Sequence, residues 1–459
     1  MRGTRVVVIG GGVGGYPAAL RAARLGAEVI LVEKEKIGGV CLNKGCMPTK
    51  VYLHAASILR EMKRASLFGV NAERVQFDFQ SLLTRKKTVI DRMTGGITHL
   101  LRDKKVRVVK GTATFMDSRS VKILETGEVL SGDKFILATG SIPAHLSITG
   151  CEKDSLLTSD DLLQMESLPD SLLIIGGGYI GVELGQFFRR MGTKVSIVEM
   201  MDRIIPSEDE EISHALKGFL EQEGINIHTQ ANVQKIEKDE IGKKVVFSTP
   251  QGERGVKVSK AAQTVGRRPY FLGLGIEKIG LKTEMGRIVV NDRMETNVPH
   301  IYAAGDLIGG TMLAHVAMAE GECAARNAMG QPSSLSHPAI PRCIYTSPEV
   351  ACVGLTEKQA AERGNVQISH FPFHAIGKAS LMEEGVGMIK VVAGKKYGEI
   401  LGVHMIGPHA TELIAEAVLA IEMEVTVEEL AHAVHAHPTL SEGLGEAAMQ
   451  LRGGALHLP

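Results

Sequence analysis

The sequence carries no excess of charge of either sign. Its 459 residues include 52 lysines and arginines and 52 aspartates and glutamates, so the formal net charge at pH 7 is +0. Proteins that attract nucleic acid or an anionic membrane over long distances usually present a strongly basic surface. We therefore expect neither nucleic acid nor a membrane surface among the partners of this protein.

Long hydrophobic runs are also lacking. No apolar stretch approaches the roughly 18 residues that suggest a membrane-spanning helix. The apolar run at residues 6–9 is too short for the core of a signal peptide, and it leads directly into a glycine-rich turn. We interpret this run as a buried strand and predict a protein without a membrane span.

Cysteine is scarce, whereas glycine is abundant. Six cysteines in so long a chain are too few for the disulfide scaffold of a secreted protein, so we predict a cytoplasmic location. The 52 glycines exceed the usual share of roughly 7%, which indicates many tight turns and close approaches of backbone to ligands. A chain of this length is expected to form about two to four domains.

A dinucleotide-binding pattern lies at the start of the chain. The run at residues 6–9 is typical of a parallel strand buried on both faces, and Gly10, Gly12 and Gly15 follow it in the spacing G-x-G-x-x-G. A helical stretch comes next, and then a second strand that ends at Glu33. Such glycines allow a tight turn and a close approach of pyrophosphate, and an acid at this distance can bind a ribose hydroxyl.

The same pattern recurs in the second quarter of the chain. Gly176, Gly178 and Gly181 follow another apolar strand, and Glu199 ends the strand after that. An internal repeat of this kind predicts two bound dinucleotides. Because a carboxylate at Glu199 would repel a 2′-phosphate, we expect the second dinucleotide to be NAD and not NADP.

Two further strands end in residues suited to ligand contact. The strand at 135–137 ends in the small residues 138–141, where backbone could pack against a ligand, and the strand at 300–304 leads to Asp306. The Asp306 carboxylate could bind a polyol hydroxyl, with an ordinary turn as the alternative. A polar helical stretch is predicted from residue 52 to residue 101.

Cys41 and Cys46 lie between the first glycine pattern and this helical stretch. In an ideal helix their Cα atoms would be about 8.6 Å apart, whereas a disulfide requires about 4.4–6.8 Å. We therefore expect the chain to bend between them, for example with Cys41 in an entry loop and Cys46 in the first turn of a helix, and Gly45 has the backbone freedom for such a bend. The helix dipole would favour a thiolate there, and Lys44 could lower a thiol pKa further. The spacing allows three interpretations: a redox-active disulfide, two unpaired core cysteines and half of a zinc site.

Two histidines and an acid stand near the end of the chain. His435 and His437 could bind a metal, but no further ligand at suitable spacing supports this, and we expect no metal site. Glu442 could orient the His437 imidazole and make it a general base. The alternative is the start of a helix near Glu442, capped by Thr439 or Ser441.

These stretches together resemble one known family. The sequence Gly-Gly-Val-Cys-Leu-Asn-Lys-Gly-Cys-Met-Pro-Thr-Lys at residues 38–50 is similar to the active-site signature of the FAD-dependent pyridine nucleotide–disulfide oxidoreductases. The two glycine patterns, Ala-Thr-Gly at 138–140, Gly-Arg-Arg-Pro at 266–269, Ala-Gly-Asp at 304–306 and His-Ala-His-Pro-Thr at 435–439 agree in the same order. Within the family, Met-Leu-Ala-His at 312–315 and Glu199 resemble the branch that oxidises dihydrolipoyl groups.

The resemblance implies an α/β fold with two Rossmann-like dinucleotide-binding domains, for FAD and NAD, and a C-terminal α+β dimerisation domain. We expect an FAD-binding domain with the redox disulfide at residues 1–145, an NAD-binding domain at 146–272, a central segment that completes the FAD site at 273–337, and the interface domain at 338–459.

The resemblance also implies binding residues for both cofactors. Those expected for FAD are Gly10, Gly12, Gly15, Glu33, Lys50, Ala113, Thr139, Gly140, Ser141, Asp306, Met312, Leu313, Ala314 and His315. Those expected for NAD are Gly176, Gly178, Gly181, Glu199, Val233 and Gly266.

The implied reaction assigns roles to the remaining candidates. Cys41 would be the interchange thiol that attacks the disulfide form of the dithiol substrate, and Cys46 would be the thiol against the flavin. Lys50, paired with Glu183, would lie beside flavin N5. A further pair, His437 with Glu442, would come from the other subunit of a homodimer and move the proton.

The expected activity is the oxidation of dihydrolipoyl groups on lipoylated carrier proteins, with electrons passing through the disulfide and FAD to NAD. Such an enzyme serves 2-oxo acid dehydrogenase or glycine cleavage complexes. The alternatives are another disulfide reductase of the same family, of the glutathione type, and a non-catalytic FAD- and NAD-binding scaffold or sensor.

Overall fold

The computed structural model describes residues 3–150, 156–336 and 339–458. The predicted domain boundary between residues 337 and 338 lies outside the described residues. Among the helices of the described part, none is both long and apolar enough to span a membrane.

The N-terminal part of the chain alternates strands with helices before it turns to short strands. Its elements are β1 (Arg5–Ile9), α1 (Gly15–Arg24), β2 (Glu28–Glu33), α2 (Gly39–Lys44), α3 (Cys46–Arg64), a 3-10 helix (Ala65–Phe68), α4 (Phe79–Asp103), β3 (Arg107–Lys110), β4 (Ala113–Asp117), β5 (Ser120–Ile123), β6 (Val129–Ser131), β7 (Lys134–Leu137) and β8 (Ser141–Pro143). The continuous helical stretch predicted from residue 52 to residue 101 is wrong in its middle. Gly69, with φ +74°, ends the 3-10 helix, and Asp78 caps a new helix by accepting a hydrogen bond from the Gln80 amide.

The second part repeats the strand–helix–strand order. Its elements are α5 (Ser159–Leu162), β9 (Ser171–Ile175), α6 (Tyr179–Arg190), β10 (Lys194–Val198), α7 (Glu210–Gln222), β11 (Asn226–His228), β12 (Asn232–Asp239), β13 (Gly242–Thr249), β14 (Gly252–Val258), β15 (Lys260–Gln263) and β16 (Arg267–Pro269).

The rest of the chain forms a central segment and a C-terminal unit. The central elements are a 3-10 helix (Ile276–Ile279), β17 (Thr283–Glu284), β18 (Arg287–Ile288), β19 (Ile301–Ala303), a 3-10 helix (Gly305–Ile308) and α8 (Ala314–Ala328). The C-terminal elements are β20 (Arg342–Ile344), β21 (Glu349–Gly354), α9 (Glu357–Ala361), β22 (Val366–Pro372), a 3-10 helix (Phe373–Ala375), α10 (Gly377–Leu381), β23 (Met388–Gly394), β24 (Ile400–Gly407), α11 (Ala410–Glu422), α12 (Val427–His432) and α13 (Glu442–Gln450).

Two parallel sheets carry the glycine patterns. One has the strand order β19-β7-β1-β2-β3 and the other the order β11-β10-β9-β15, and every pair in both is parallel. In each sheet the strand before the glycine turn is paired on both sides, which explains why its apolar run is buried. Because β19 comes from the central segment, the first sheet is complete only when that segment returns to it.

The C-terminal unit is a mixed α and β layer. Its sheet, β20-β21-β24-β23-β22, is antiparallel throughout, and apolar residues of α11 and α13 such as Ile414 and Leu444 share its hydrophobic core. The predicted fold class is therefore confirmed: an α/β chain with two Rossmann-like units and a C-terminal α+β unit.

The packing of α8 on the first glycine turn generates a stability prediction. A Cβ added at Gly321 would lie 2.0 Å from the Gly14 carbonyl oxygen, whereas a Cβ at Gly95 in α4 would meet nothing within 4 Å. We expect Gly321→Ala to lower the free energy of unfolding by about 1–3 kcal/mol through overpacking. The matched change Gly95→Ala should raise it by up to about 1 kcal/mol, because alanine favours a helix interior. Urea unfolding monitored by circular dichroism measures both, and equal effects of the two variants would contradict the packing argument.

Candidate active site

The two glycine turns are built alike. Gly10 has φ +106° and Gly176 has φ +107°, and added Cβ atoms would lie 2.2 Å and 2.7 Å from the backbone oxygens of Ala138 and Thr264. Only glycine fits such a backbone at this approach.

The other glycines of each pattern divide their roles. At Gly15 and Gly181, Cβ atoms would lie 1.8 Å and 2.0 Å from the carbonyl oxygens of the first glycines, so these positions allow the helix to pack on the turn. At Gly12 the nearest atom to an added Cβ is 3.7 Å away, and at Gly178 nothing lies within 4 Å. The open middle glycines at helix N-termini fit the pyrophosphates of FAD and NAD.

An acid braces each turn. Glu33 accepts hydrogen bonds from the amides of Gly11, at 2.6 Å, and Glu35, at 2.7 Å. Glu199 does the same with the amides of Gly177, at 2.7 Å, and Met201, at 2.8 Å. A carboxylate has about four acceptor positions, so each retains capacity for a ribose hydroxyl.

One cavity joins both turns to the cysteines. Its volume is about 1740 Å³, well above the roughly 300–1,000 Å³ of a pocket for one small ligand, so it has room for two dinucleotides in series. The predicted site residues that line it are Gly10, Gly12, Glu33, Cys41, Cys46, Lys50, Ala113, Thr139, Gly140, Ser141, Gly176, Gly178, Glu183, Glu199, Val233, Gly266, Asp306, Met312, Leu313, Ala314 and His315. Gly15, Gly181, His437 and Glu442 do not line it.

The cysteine pair spans a break between two helices. Cys41 lies in α2 and Cys46 is the first residue of α3, with Gly45 between them at φ −143° and ψ −106°. The bend at Gly45 is as expected, but the loop position expected for Cys41 is wrong, because a short helix precedes the bend.

Both cysteines are free thiols, and each shifts the pKa of the other. The hydrogen bond with Cys46, together with burial, raises the pKa of Cys41. The hydrogen bond from Cys41 and the positive charge of Lys50 hold the pKa of Cys46 below its usual value, although burial opposes this. Cys46 is therefore the sulfur that carries negative charge most readily.

Lys50 and Glu183 form a partly buried ion pair beside the thiols. Lys50 Nζ lies 2.9 Å and 3.0 Å from the two Glu183 carboxylate oxygens, and Nζ also lies 4.3 Å from the centre of the Tyr345 ring. Glu183 accepts a further hydrogen bond from the Tyr345 amide at 2.8 Å. The pair thus fixes a cation near Cys46.

Lys44 does not share this role. Its Nζ lies 2.6 Å from Glu35 Oε2, and its charge is not among the main causes of the pKa shift of either cysteine. The expectation that Lys44 lowers a thiol pKa is therefore not supported, because its ammonium group pairs with an acid.

His437 and Glu442 form a pair away from the cavity. Glu442 Oε1 lies 2.9 Å from His437 Nδ1, and the Thr439 amide donates to Oε2 at 2.8 Å. Burial opposes the charge of Glu442, but these hydrogen bonds outweigh it and lower the pKa of that carboxyl. The His437 side chain is 77% exposed. Within one chain, the imidazole is therefore oriented and open to solvent but does not reach the cysteines.

The structure also shows where the helix of the C-terminal stretch begins. His435 Nε2 lies 2.9 Å from Glu416, so the two histidines have different partners. Helix α13 does begin at Glu442, but Ser441 makes no side-chain capping bond and the Thr439 hydroxyl donates to the Ala436 carbonyl.

Two features at or next to the cavity escaped the sequence patterns. Buried Glu320 accepts a hydrogen bond from the Gly305 amide at 2.7 Å, and burial, together with the charge of Asp306, raises its pKa to about 7. Lys34 Nζ lies 4.2 Å from the centre of the Tyr270 ring. No local sequence spacing signals either feature. Lys34 and Tyr270 are far apart in the sequence, and Glu320 is an acid within an ordinary helix, α8.

Comparisons with known proteins agree over nearly the whole chain. Residues 4–321 match the family model described as pyridine nucleotide-disulphide oxidoreductase, and residues 340–448 match the model of its dimerisation domain. A dihydrolipoyl dehydrogenase of Bacillus subtilis (strain 168) is 41% identical over 457 residues, which covers 98% of this chain and 99% of the relative. A dihydrolipoyl dehydrogenase of Thermus scotoductus is 43% identical over 99% of this chain and 98% of its own length.

Solved structures show the same fold. LpdA of Mycobacterium tuberculosis superposes with a TM-score of 0.89 at 28% identity, over 98% of this chain and 99% of that one. The HOCl-induced flavoprotein disulfide reductase RclA of Escherichia coli superposes with a TM-score of 0.86 at 27% identity, over 97% and 99%.

The contact between Lys34 and Tyr270 predicts how firmly FAD is held. Both residues line the cavity beside Glu33, and a cation–π contact at an exposed site contributes about 0.5–1 kcal/mol. We expect Lys34→Met and Tyr270→Leu each to speed FAD release about two- to fivefold. The recovery of flavin fluorescence after dilution measures the rate. Lys63→Met, which changes an exposed lysine that does not line the cavity, is the control. Release as slow as in the wild type from both variants would contradict the assignment.

Proposed function

The chain belongs to the pyridine nucleotide-disulphide oxidoreductase family, and we propose that it oxidises dihydrolipoyl groups on lipoylated carrier proteins with NAD. It is a flavoprotein disulfide oxidoreductase whose cofactors are FAD and NAD. One observation carries the proposal: a single cavity is lined by two thiols, by the Lys50–Glu183 pair and by both glycine turns. Relatives named dihydrolipoyl dehydrogenase support the choice of substrate.

Bound FAD would take up the two electrons of the dithiol and allow their transfer to NAD as a hydride. The residues around the cavity supply the binding geometry. The first turn and Glu33 would hold the FAD pyrophosphate and adenosine ribose, and Asp306, which accepts a hydrogen bond from Ser141, would hold the ribityl end. Lys50 would stand beside the flavin N5.

The sulfur chemistry would take place on Cys41 and Cys46. A substrate thiolate attacks Sγ of Cys41 in the disulfide form, the Cys41–Cys46 bond breaks, and Cys46 leaves as a thiolate. The second substrate thiolate then attacks the substrate sulfur bound to Cys41, which closes the lipoyl disulfide and releases Cys41. The lowered pKa of Cys46 supports this direction, because a thiol of lower pKa is the better leaving group.

His437 would accept the proton from the substrate thiol. Glu442 occupies Nδ1, which leaves Nε2 as the working nitrogen. Because His437 is exposed and does not line its own cavity, we propose that it serves the cysteines of the second subunit in a homodimer. The match of residues 340–448 to a dimerisation domain supports this arrangement.

The proposal extends to specificity, partners and layout. Glu199 favours NAD over NADP, because its carboxylate repels the 2′-phosphate of NADP. The nearby Arg203 could attract that phosphate, but its Nη1 lies 3.2 Å and 3.0 Å from the two carboxylate oxygens of Asp202. The partners would be carriers of 2-oxo acid dehydrogenase or glycine cleavage complexes. A cytoplasmic location fits a disulfide that is transient and catalytic. We keep the domain boundaries 1–145, 146–272, 273–337 and 338–459.

Steady-state turnover tests the function. The flavin-loaded protein should reduce NAD with dihydrolipoamide, and NADP should be used far less well. Cys41→Ser removes the sulfur that exchanges with the substrate, and His437→Ala removes the base, so each should lower kcat by a factor of about 100 or more with FAD still bound. His432→Ala, an exposed histidine in the same unit, is the matched control.

Absence of turnover in a flavin-replete sample would contradict the proposed substrate. The same sample should then be offered oxidised glutathione with NADH or NADPH. Reduction there would favour the alternative of another disulfide reductase, and no turnover with either pair would favour a scaffold or sensor.

The lowered pKa of Cys46 predicts a pH dependence. A thiol with a lowered pKa stays ionised to lower pH, so the long-wavelength thiolate–flavin absorbance of the two-electron-reduced protein should fade only below the ordinary thiol pKa of about 8.5. Lys50→Met removes the neighbouring cation and should move this transition upward by about one pH unit or more. Lys44→Met should leave it unchanged, since Lys44 pairs with Glu35. A transition that is unmoved in Lys50→Met would refute the electrostatic assignment.

A further inference from the structure

A row of polar side chains crosses the C-terminal sheet where apolar ones are expected. Its members are register partners on five neighbouring strands: Arg342, Cys352, His404, Lys390 and His370, in spatial order. Direct partners in a sheet share a face. Cys352 and His404 are 0% exposed and Lys390 is 1% exposed, so the row is buried at its centre.

Acids at the start of α7 face this row. Lys390 Nζ lies 3.0 Å from Asp209 Oδ1, 3.0 Å from Glu211 Oε1 and 2.6 Å from Glu357 Oε2. Asp209 itself is 2% exposed and is the N-cap of α7. A buried lysine is tolerated only when its charge is compensated in this way.

Glu208, the residue before Asp209, extends the contact toward the second glycine turn. Arg342 Nε lies 3.0 Å from both carboxylate oxygens of Glu208. Glu208 is 2% exposed and also accepts a hydrogen bond from the Tyr179 hydroxyl. Tyr179 follows Gly178 and lines the cavity.

The segment just before these acids contacts the second glycine turn directly. The Ile205 amide donates to the Gly177 carbonyl at 2.8 Å, and a Cβ on Gly177 would lie 2.8 Å from the Ile204 side chain. Residues 204–211 therefore stand between the C-terminal sheet and the glycine turn and touch both.

We propose that Lys390 is a positioning residue for NAD binding, acting through residues 204–211 on the second glycine turn. The inference rests on the proposed assignment of that turn to NAD. Without the ammonium group, the Asp209 carboxylate loses its buried counter-ion and must move toward water or bind a proton. Either change displaces the start of α7, and with it the contacts of Ile205 and Glu208 to the turn.

A direct binding measurement on the FAD-loaded protein tests this. We expect Lys390→Met to weaken NADH binding about tenfold while the FAD content stays full. Isothermal titration calorimetry under anaerobic conditions measures this on protein whose flavin and disulfide are already fully reduced, so that NADH binds without transferring a hydride. Lys390→Arg, which keeps the charge, should recover most of the loss. Lys395→Met changes an exposed lysine at the end of the same strand and should bind NADH as the wild type does. A dissociation constant within twofold of the wild type in folded, FAD-loaded Lys390→Met would overturn the proposal.

A second variant covers the case in which Lys390→Met does not hold FAD. Glu357→Gln removes one carboxylate from the half-exposed edge of the cluster and should raise hydrogen exchange at the amides of residues 204–211 and 176–178. The first glycine turn, residues 10–15, should be unaffected. Unchanged exchange at both places would overturn the coupling.

The outcomes also separate this inference from the proposed function. If the wild type shows no turnover with dihydrolipoamide but Lys390→Met still weakens NADH binding, the substrate assignment fails and the positioning role stands. If the wild type does not bind NADH, both fail.

Discussion

The closeness of backbone to backbone at the two glycine turns is the constraint on which the rest of the structure depends. At the first turn, added Cβ atoms on Gly10 and Gly15 would lie only 2.2 Å and 1.8 Å from a neighbouring carbonyl oxygen, far inside van der Waals contact. This approach brings the helix N-terminus directly over the carboxyl end of the sheet, where a pyrophosphate can lie on free amides. Because the second turn repeats the arrangement and lines the same cavity, two dinucleotides can act on one pair of sulfurs.

Acids hold the site in place by accepting bonds from the backbone. Glu33 and Glu199 each brace a glycine turn through two amides. Glu183 joins Lys50 on α3 to the backbone of Tyr345 in the C-terminal unit, so one carboxylate ties three parts of the chain to the cysteines. Because such bonds are charge-assisted and directional, they fix the geometry of the site more closely than side-chain packing alone would.

Local spacing carries most of what the sequence predicts correctly. The glycine patterns, the acids that end the second strands and the bend at Gly45 depend on residues near one another in the chain, and the structure has each of them. Contacts between residues far apart in the sequence could not be predicted from local spacing. The Lys50–Glu183 pair was predicted only from the family resemblance, and the Lys390 cluster was predicted neither from spacing nor from the resemblance. Register partners on separate strands leave no periodic trace in the sequence, since strand order is set by tertiary packing.

Two expectations failed for a common physical reason. Lys44 was expected to lower the pKa of a thiol next to it in sequence, but in the structure its ammonium group pairs with Glu35. The helical stretch was expected to continue through residues 69–78, but Gly69 and the capping Asp78 end one helix and begin another. In both cases the prediction relied on closeness in the sequence. The direction of a side chain decides which charge it pairs with, and capping residues decide where a helix begins and ends.

The division of the chemistry between cavity and surface follows from the same geometry. A thiolate next to a flavin needs a nearby positive charge, and the partly buried Cys46 beside Lys50 meets that need in the proposed reaction. In the proposed reaction, a base that reaches a substrate thiol on a carrier needs the opposite, and His437 is exposed and bonded to Glu442 through Nδ1. Within one chain, His437 does not line the cavity that holds the two cysteines. The proposed twofold dimer would resolve this, because an isologous interface brings the surface of one subunit to the cavity of the other, twice over, without altering either fold.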